Sequence, residues 1–306
     1  MTFTDQPVRV TVPATSANLG PGFDCLGLAL DLRDRLEAQV LPDGLVVEVE
    51  GAGSESVPRD ASHLVVRAMH VAFDFLGERP PGLRLRCHNL IPHARGLGSS
   101  SAAIVGGLAL VRELVIDGPE LLDDDQLFRL AAELEGHPDN VAPACFGGFV
   151  ISGRDEPHRG DFFAVRSPVA PEIQTVVLIP PGGVQTEVAR GLLPAQVPHQ
   201  DAASNAGRAA LLVAALAGRP DQLLLGTEDL LHQQFRRPAM PQTLELVEAL
   251  RARGVPAIVS GAGPTVLAFT DGPDSEGTAD LLAACPPTWK AAHLAVDRRG
   301  VEAQRT

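Results

Sequence analysis

The sequence predicts an α+β fold in two parts, and three observations carry that reading. Strand-like alternation and helix-like apolar periodicity interleave along the 306 residues, with no internal repeat. A polar stretch with proline and glycine, Arg154 to Gly160, separates two halves of unlike pattern. Beyond it the order is strand, helices, strand, strand, helix, strand, the split arrangement of a ferredoxin-like domain. The expected domains are 1–160 and 161–306, with the boundary within roughly ten residues of that stretch. A chain of this length suits one large domain or two ordinary ones.

In order, Val8 to Val12 alternates and predicts a strand. It runs into Pro13-Ala14-Thr15-Ser16-Ala17-Asn18-Leu19-Gly20-Pro21-Gly22-Phe23-Asp24, a turn-rich segment without a helical period. Leu45 to Val49 predicts a second strand, and Ser62 to Leu76 a helix. Leu83, Leu85 and Cys87 alternate with Arg84, Arg86 and His88, again as a strand does. The apolar run Ala102 to Leu114 and the segment Gln126 to Glu135 predict helices. Asp123, Asp124 and Asp125, just before the latter, suit capping and the helix dipole, with metal binding as the alternative. Gly147 to Ser152 predicts a strand. In the second half, Thr175 to Ile179 is a strand and Ala202 to Ala217 and Thr243 to Arg253 are helices. Ala257 to Ser260 forms a hairpin with Thr265 to Phe269; Gly277 to Ala284 is a helix and Ala291 to Val296 closes the sheet.

Composition removes several classes of function. A net charge of −13 argues against nucleic acid and anionic membrane as partners. Hydrophobic and charged fractions of 45% and 21% are those of a globular chain. No apolar run approaches the roughly 18 residues that span a bilayer. Met1 to Gly20 lacks a basic segment followed by an apolar core, so no secretory signal is apparent and the expected location is the cytoplasm. The four cysteines, Cys25, Cys87, Cys145 and Cys285, lack metal or disulfide spacing and suit packing in a reducing compartment. Lys290 is the single lysine, which excludes a Walker-type phosphate loop, since that motif needs a lysine beside Ser or Thr at a helix start.

The segment richest in chemistry is Pro92-His93-Ala94-Arg95-Gly96-Leu97-Gly98-Ser99-Ser100-Ser101-Ala102-Ala103. A glycine- and serine-rich turn that enters a helix offers free backbone N–H groups along the positive end of the helix dipole. Such a turn suits an anion, most readily phosphate. A flexible Gly/Ser linker is the bland alternative, opposed by the strong apolar segments on both sides.

Three separated segments resemble the signature motifs of the GHMP small-molecule kinases: Pro13 to Gly27, Gly96 to Ala103, and Ser260-Gly-Ala-Gly-Pro-Thr265. A fourth, Glu135-Gly-His137-Pro-Asp139-Asn140-Val-Ala-Pro143, is similar to the homoserine-phosphorylating branch of that family. The resemblance runs from residue 8 to 270, in family order. It implies a two-domain fold, an amino-terminal ribosomal-protein-S5-like domain that binds ATP and a carboxyl-terminal ferredoxin-like domain, with the active site in the cleft. It also implies ATP and Mg2+, L-homoserine as acceptor, O-phospho-L-homoserine for threonine synthesis as product, and a homodimer.

The resemblance assigns ATP to Pro92, His93, Ala94, Arg95, Gly96, Leu97, Gly98, Ser99, Ser100, Ser101 and Ala102, and magnesium to Ser100 and Glu135. Glu133, on a nearly opposite helix face, stays open as a rival to Glu135. His63 stands where many members carry an asparagine near the nucleotide base; it reads equally as a plain helix-start residue. A carboxylate acceptor calls for arginine, and the family pattern points to Arg190 and Arg236, whose bland reading is solvated surface charge. Asp24 is the candidate for the ammonium group, Asn18 and His137 for the hydroxyl end, and Gly263 for a further substrate contact. His137, Asn140 and Arg190 form the candidate catalytic set. Related kinases use an aspartate as base where Asn140 stands here, so the resemblance implies catalysis by alignment and charge neutralisation, with the γ-phosphate a possible proton acceptor. Another kinase of the family acting on a neutral or anionic alcohol such as mevalonate, and a non-catalytic nucleotide-binding regulator, are the alternatives.

Overall fold

Alternating apolar positions build a large mixed sheet first. The computed structural model describes residues 2–155 and 160–305. Its first part holds β1 (Val8–Ala17), β2 (Leu26–Leu41), β3 (Gly44–Gly51), α1 (Leu64–Leu76), β4 (Gly82–Asn89), α2 (Ser99–Leu114), α3 (Gly118–Leu121), α4 (Asp124–Glu135), α5 (Val141–Phe146), β5 (Phe149–Arg154) and β6 (Phe162–Ser167). The second holds β7 (Gln174–Ile179), α6 (Thr186–Gly191), α7 (His199–Leu216), α8 (Leu223–Gly226), α9 (Pro241–Ala252), β8 (Ala257–Val259), β9 (Val266–Thr270), α10 (Glu276–Ala283), β10 (Lys290–Leu294) and β11 (Glu302–Arg305). A short 3₁₀ turn over Gln234–Ala239 carries Arg236.

In the first sheet the strand order is β11-β1-β2-β4-β3, while β5 pairs β2 and β6 pairs β5. β2 serves two neighbours along one edge: Leu26 to Leu28 pair with β5, and Arg35 to Leu41 with β4. A register shift at Pro13/Ala14 lets β1 follow it along the other edge. α2 lies beneath this sheet, apolar nearly all round and therefore buried nearly all round. Where α1 crosses it, a Cβ on Gly107 would come within 2.6 Å of the Val65 carbonyl, so only glycine permits that approach.

The second sheet has the order β10-β7-β9-β8, every pair antiparallel. Its first strand lies between the last and the third, the ferredoxin-like order expected from the sequence. The predicted hairpin is β8 with β9.

Several expectations change in detail. β1 continues to Ala17 through the first half of the segment read as turn, because β2 pairs with it from Gly27 onward. The turn proper begins at Asn18, where Asn18, Leu19 and Gly20 take φ of 66°, 48° and 86°. β2, sixteen residues long, was not assigned from the sequence. β6 and β11, both beyond residue 160, pair into the first sheet, so the second sheet begins at β7. The centre of the expected boundary, residues 156–159, lies outside the described residues. Among the described residues no helix is long and apolar enough to cross a membrane.

Candidate active site

The glycine-rich loop before α2 is held open by its own backbone. Gly96 and Gly98 sit at φ +74° and +71°, and a Cβ would lie 2.2 Å from the Ser260 carbonyl oxygen and 1.9 Å from Thr15 Oγ1 respectively. Gly98 caps α2 without a side chain, leaving the N–H groups of Ser99, Ser100 and Ser101 free of intrahelical partners. The third motif folds over this loop: Ser260 Oγ donates to the Gly96 carbonyl at 2.6 Å and accepts from Ser16 Oγ at 2.8 Å. Gly261 N donates to Ala17 O at 3.1 Å, and Asn18 Nδ2 to Gly261 O at 3.0 Å. Segments distant in sequence thus meet around one cavity of about 240 Å³.

Ala94, Gly96, Gly98, Ser99 and Ser100 line one side of it. Glu135, at the end of α4, accepts from Ser100 Oγ at 2.7 Å and from Ser101 Oγ at 3.0 Å. Glu133 faces away and accepts from Arg154 Nη2 at 2.8 Å. No group of three or more His, Cys, Asp or Glu placed to hold a metal ion by themselves occurs among the described residues. A carboxylate with neighbouring hydroxyls fits magnesium, which takes one or two protein oxygens and leaves the rest to phosphate and water.

Arg190, Arg236 and Thr186 line the other side. Arg190 forks onto Asp24, Nη1 to Oδ2 at 3.0 Å and Nη2 to Oδ1 at 2.6 Å. That pairing, with further help from nearby carboxylates, holds the Arg190 pKa above its ordinary value. Arg236 is 1% exposed, donating through Nη1 to Gly261 O at 2.9 Å and to His232 Nδ1 at 3.0 Å. His232 in turn donates from Nε2 to Gly20 O at 2.7 Å, which fixes a neutral ring. Burial, and then the like charge of Arg190, push the Arg236 pKa down to about 10. Its Nε is buried without a partner. Both guanidiniums lie over the Phe23 ring, at 5.4 and 5.7 Å from its centre.

Between the two sides stand His137, Asp139 and Asn140. His137 Nδ1 and Asp139 Oδ1 are 2.9 Å apart. Burial acts to lower the His137 pKa, but the bond to and charge of Asp139 prevail, and the net shift is upward. Thr15 Oγ1, fully buried, donates to Asn140 Oδ1 at 2.8 Å and leaves the amide nitrogen for the cavity.

Other residues singled out in the sequence have different positions. Leu97 is 1% exposed, its side chain in the core. Ser101 is fully buried and spends its hydroxyl on Glu135. Arg95 turns its guanidinium to backbone carbonyls and does not line the cavity, and neither do Pro92, His93, Ala102 or His63. Gly263 lies against Met240, and Gly261 and Ala262 line the cavity in its stead. Asn18 lines the cavity, but both ends of its amide bind backbone: the Oδ1 accepts from Asp24 N at 3.0 Å. Thr15, Thr186, His232 and Gly261 went unassigned in the sequence, although Thr15 and Gly261 sit in quoted motifs. All four cysteines are free, and burial pushes the Cys25 and Cys87 thiols up to about 11 and about 12.

A glycine loop at a helix start, facing an arginine-lined wall across one cavity, suits a small-molecule kinase. The chain matches the family described as GHMP kinases N terminal domain over residues 63–148 and GHMP kinases C terminal over 209–285. It is 54% identical to a homoserine kinase of Streptomyces avermitilis over 96% of this chain and 94% of that one, and 49% identical to one of Clavibacter michiganensis over 98% and 95%. A crystal structure of homoserine kinase from Cytophaga hutchinsonii superposes with a TM-score of 0.84 at 25% identity, covering 99% of both chains. The chain belongs to the homoserine kinase family of the GHMP kinases. A mevalonate kinase structure, 14% identical with a TM-score of 0.68, shares the fold.

Proposed function

We propose that this protein transfers the γ-phosphoryl group of ATP to the side-chain hydroxyl of L-homoserine, giving O-phospho-L-homoserine for threonine synthesis. The observation that carries this reading is the juxtaposition of Ser100 and Glu135 with Arg190 and Arg236 across one small cavity, with Asp24 forked by Arg190. The loop amides from Gly96 to Ser101 hold phosphate oxygens. Ser100 and Glu135 hold Mg2+, which when bound neutralises phosphate charge. Arg236 and Arg190 receive the acceptor carboxylate, and Asp24, released from Arg190, receives the ammonium.

Asn140 and His137 direct the hydroxyl. Asn140 does not titrate, and Asp139 orients the His137 ring and raises its pKa. The residues therefore act by alignment and charge neutralisation, and orientation alone supplies part of the roughly 7–11 kcal/mol available to it. The same reading carries a cytoplasmic homodimer, tested by sedimentation of the purified protein.

A coupled ADP-release assay with homoserine, serine, threonine and mevalonate tests the proposal. Turnover with homoserine, strongest among the four, is expected. Turnover with mevalonate only, or with none despite nucleotide binding, rejects it.

A further inference from the structure

Arg95 sits inside the phosphate loop yet touches nothing that a phosphate would touch. Its Nε donates to Pro180 O at 3.2 Å, Nη1 to His93 O at 2.8 Å, and Nη2 to Pro181 O. The backbone repeats the connection: Val184 N donates to Ala94 O at 3.1 Å, and Thr265 N to Arg95 O at 3.3 Å. A Cβ on Gly183 would lie 2.4 Å from Arg95 Nη1 and 2.8 Å from Ala94 O, so the strap over 180–184 lies flat against the loop. That strap joins β7 to α6, and α6 brings Thr186 and Arg190 to the cavity.

We propose that Arg95 is a positioning residue that braces the nucleotide loop against the strap of α6, fixing the distance between the two halves of the site. A planar guanidinium with several donors can hold three carbonyls at once, which a lysine ammonium on a flexible stem does less rigidly. Charge-assisted bonds of this kind are worth more than neutral ones, and no carboxylate competes for the group among the described residues. The brace transmits nucleotide binding to the acceptor side without contacting either ligand. It rests on the reading of the cavity as a phosphoryl-transfer site but not on which alcohol is the acceptor.

Four variants test it: Arg95→Ala, Arg95→Lys, Gly183→Ala, and the double variant of Arg95→Ala with Gly183→Ala. With homoserine, Arg95→Ala lowers kcat on the order of 10- to 100-fold, the loss expected of a slight misplacement of reacting groups. Its ATP dissociation constant, measured by calorimetry without acceptor, changes less than about threefold, as expected for a residue that does not bind phosphate. Arg95→Lys recovers part of the loss. Gly183→Ala displaces the same guanidinium and gives a similar defect, and the double variant is no worse than Arg95→Ala. In hydrogen exchange, ATP slows the amides of 184–191 in the wild type but not in Arg95→Ala. A tenfold loss of ATP affinity at unchanged kcat makes Arg95 a ligand and overturns the brace. Unchanged kinetics, additive defects, or equal protection of 184–191 in both proteins overturn it as well. A wild type inactive on homoserine sinks the proposed acceptor alone, since the exchange experiment still reports on the brace.

Discussion

Glu133 and Glu135 lie two positions apart and face different partners, Arg154 for one and two serine hydroxyls for the other. Replacing Glu135 by Gln keeps the shape and removes the charge with which Glu135 would hold magnesium in the proposed site; kcat falls by about two orders of magnitude or more, as for loss of a group acting on transition-state charge. Glu133→Gln stays within about twofold, being a surface ion pair. Steady-state kinetics on folded variants checks both. Asp139→Asn retains measurable turnover, because Asp139 orients His137; complete loss in a folded variant would make it the base. The same substitution reads out proton linkage. The folded state raises the His137 pKa, so its contribution is full below about 6.5 and fades as pH rises through the raised value. The stability lead of wild type over Asp139→Asn is therefore larger at pH 5.5 than at pH 8.5 by denaturant titration. The glycine loop was legible because its chemistry is local. The Asp24–Arg190 fork was not, since its partners are 166 positions apart. Nor was Arg95, because sequence sees a cation in an anion loop and cannot see the prolines that claim it.

Among elements, α2 and the inner strands of the second sheet were the easiest to read, each being a nearly unbroken apolar run. β2 escaped because its middle carries Asp31, Arg33, Asp34 and Arg35, which interrupt the apolar run. The structure gives these charges local employment: Asp34, buried, accepts from the amides of Leu90 at 2.6 Å and Ile91 at 2.8 Å, just before the phosphate loop. Burial pushes its pKa up to about 6 against those two bonds. The acidic run before α4 was rightly read as capping, for Asp123 and Gln126 form a reciprocal capping box. Asp123→Ala costs about 1 kcal/mol of stability, measured by chemical denaturation at neutral pH. A loss near zero would mean that the adjacent acids replace the cap.

Across the whole molecule, Arg33 ties the end of the chain to the first sheet. It bonds Thr11 O at 3.0 Å, Gly300 O at 2.6 Å and the carboxylate of Asp297, which is nearly fully buried. Arg33→Ala removes the close ion pair of that carboxylate, leaving it the amides of Arg299 and Gly300, and costs about 1.5–3 kcal/mol, read as a lowered midpoint in urea; a change below about 1 kcal/mol would show that the pair is dispensable. This long-range closure, like β11 beside β1, is set by contacts that no sequence window spans. One further consequence follows from the four-stranded sheet. Lys290 is exposed at the start of β10, on the edge opposite β8, the strand that leads to Gly261 and Ala262. As the sole side-chain amine, it gives a single lysine for attaching a dye, in register with Ile179 and therefore beside the strap over 180–184.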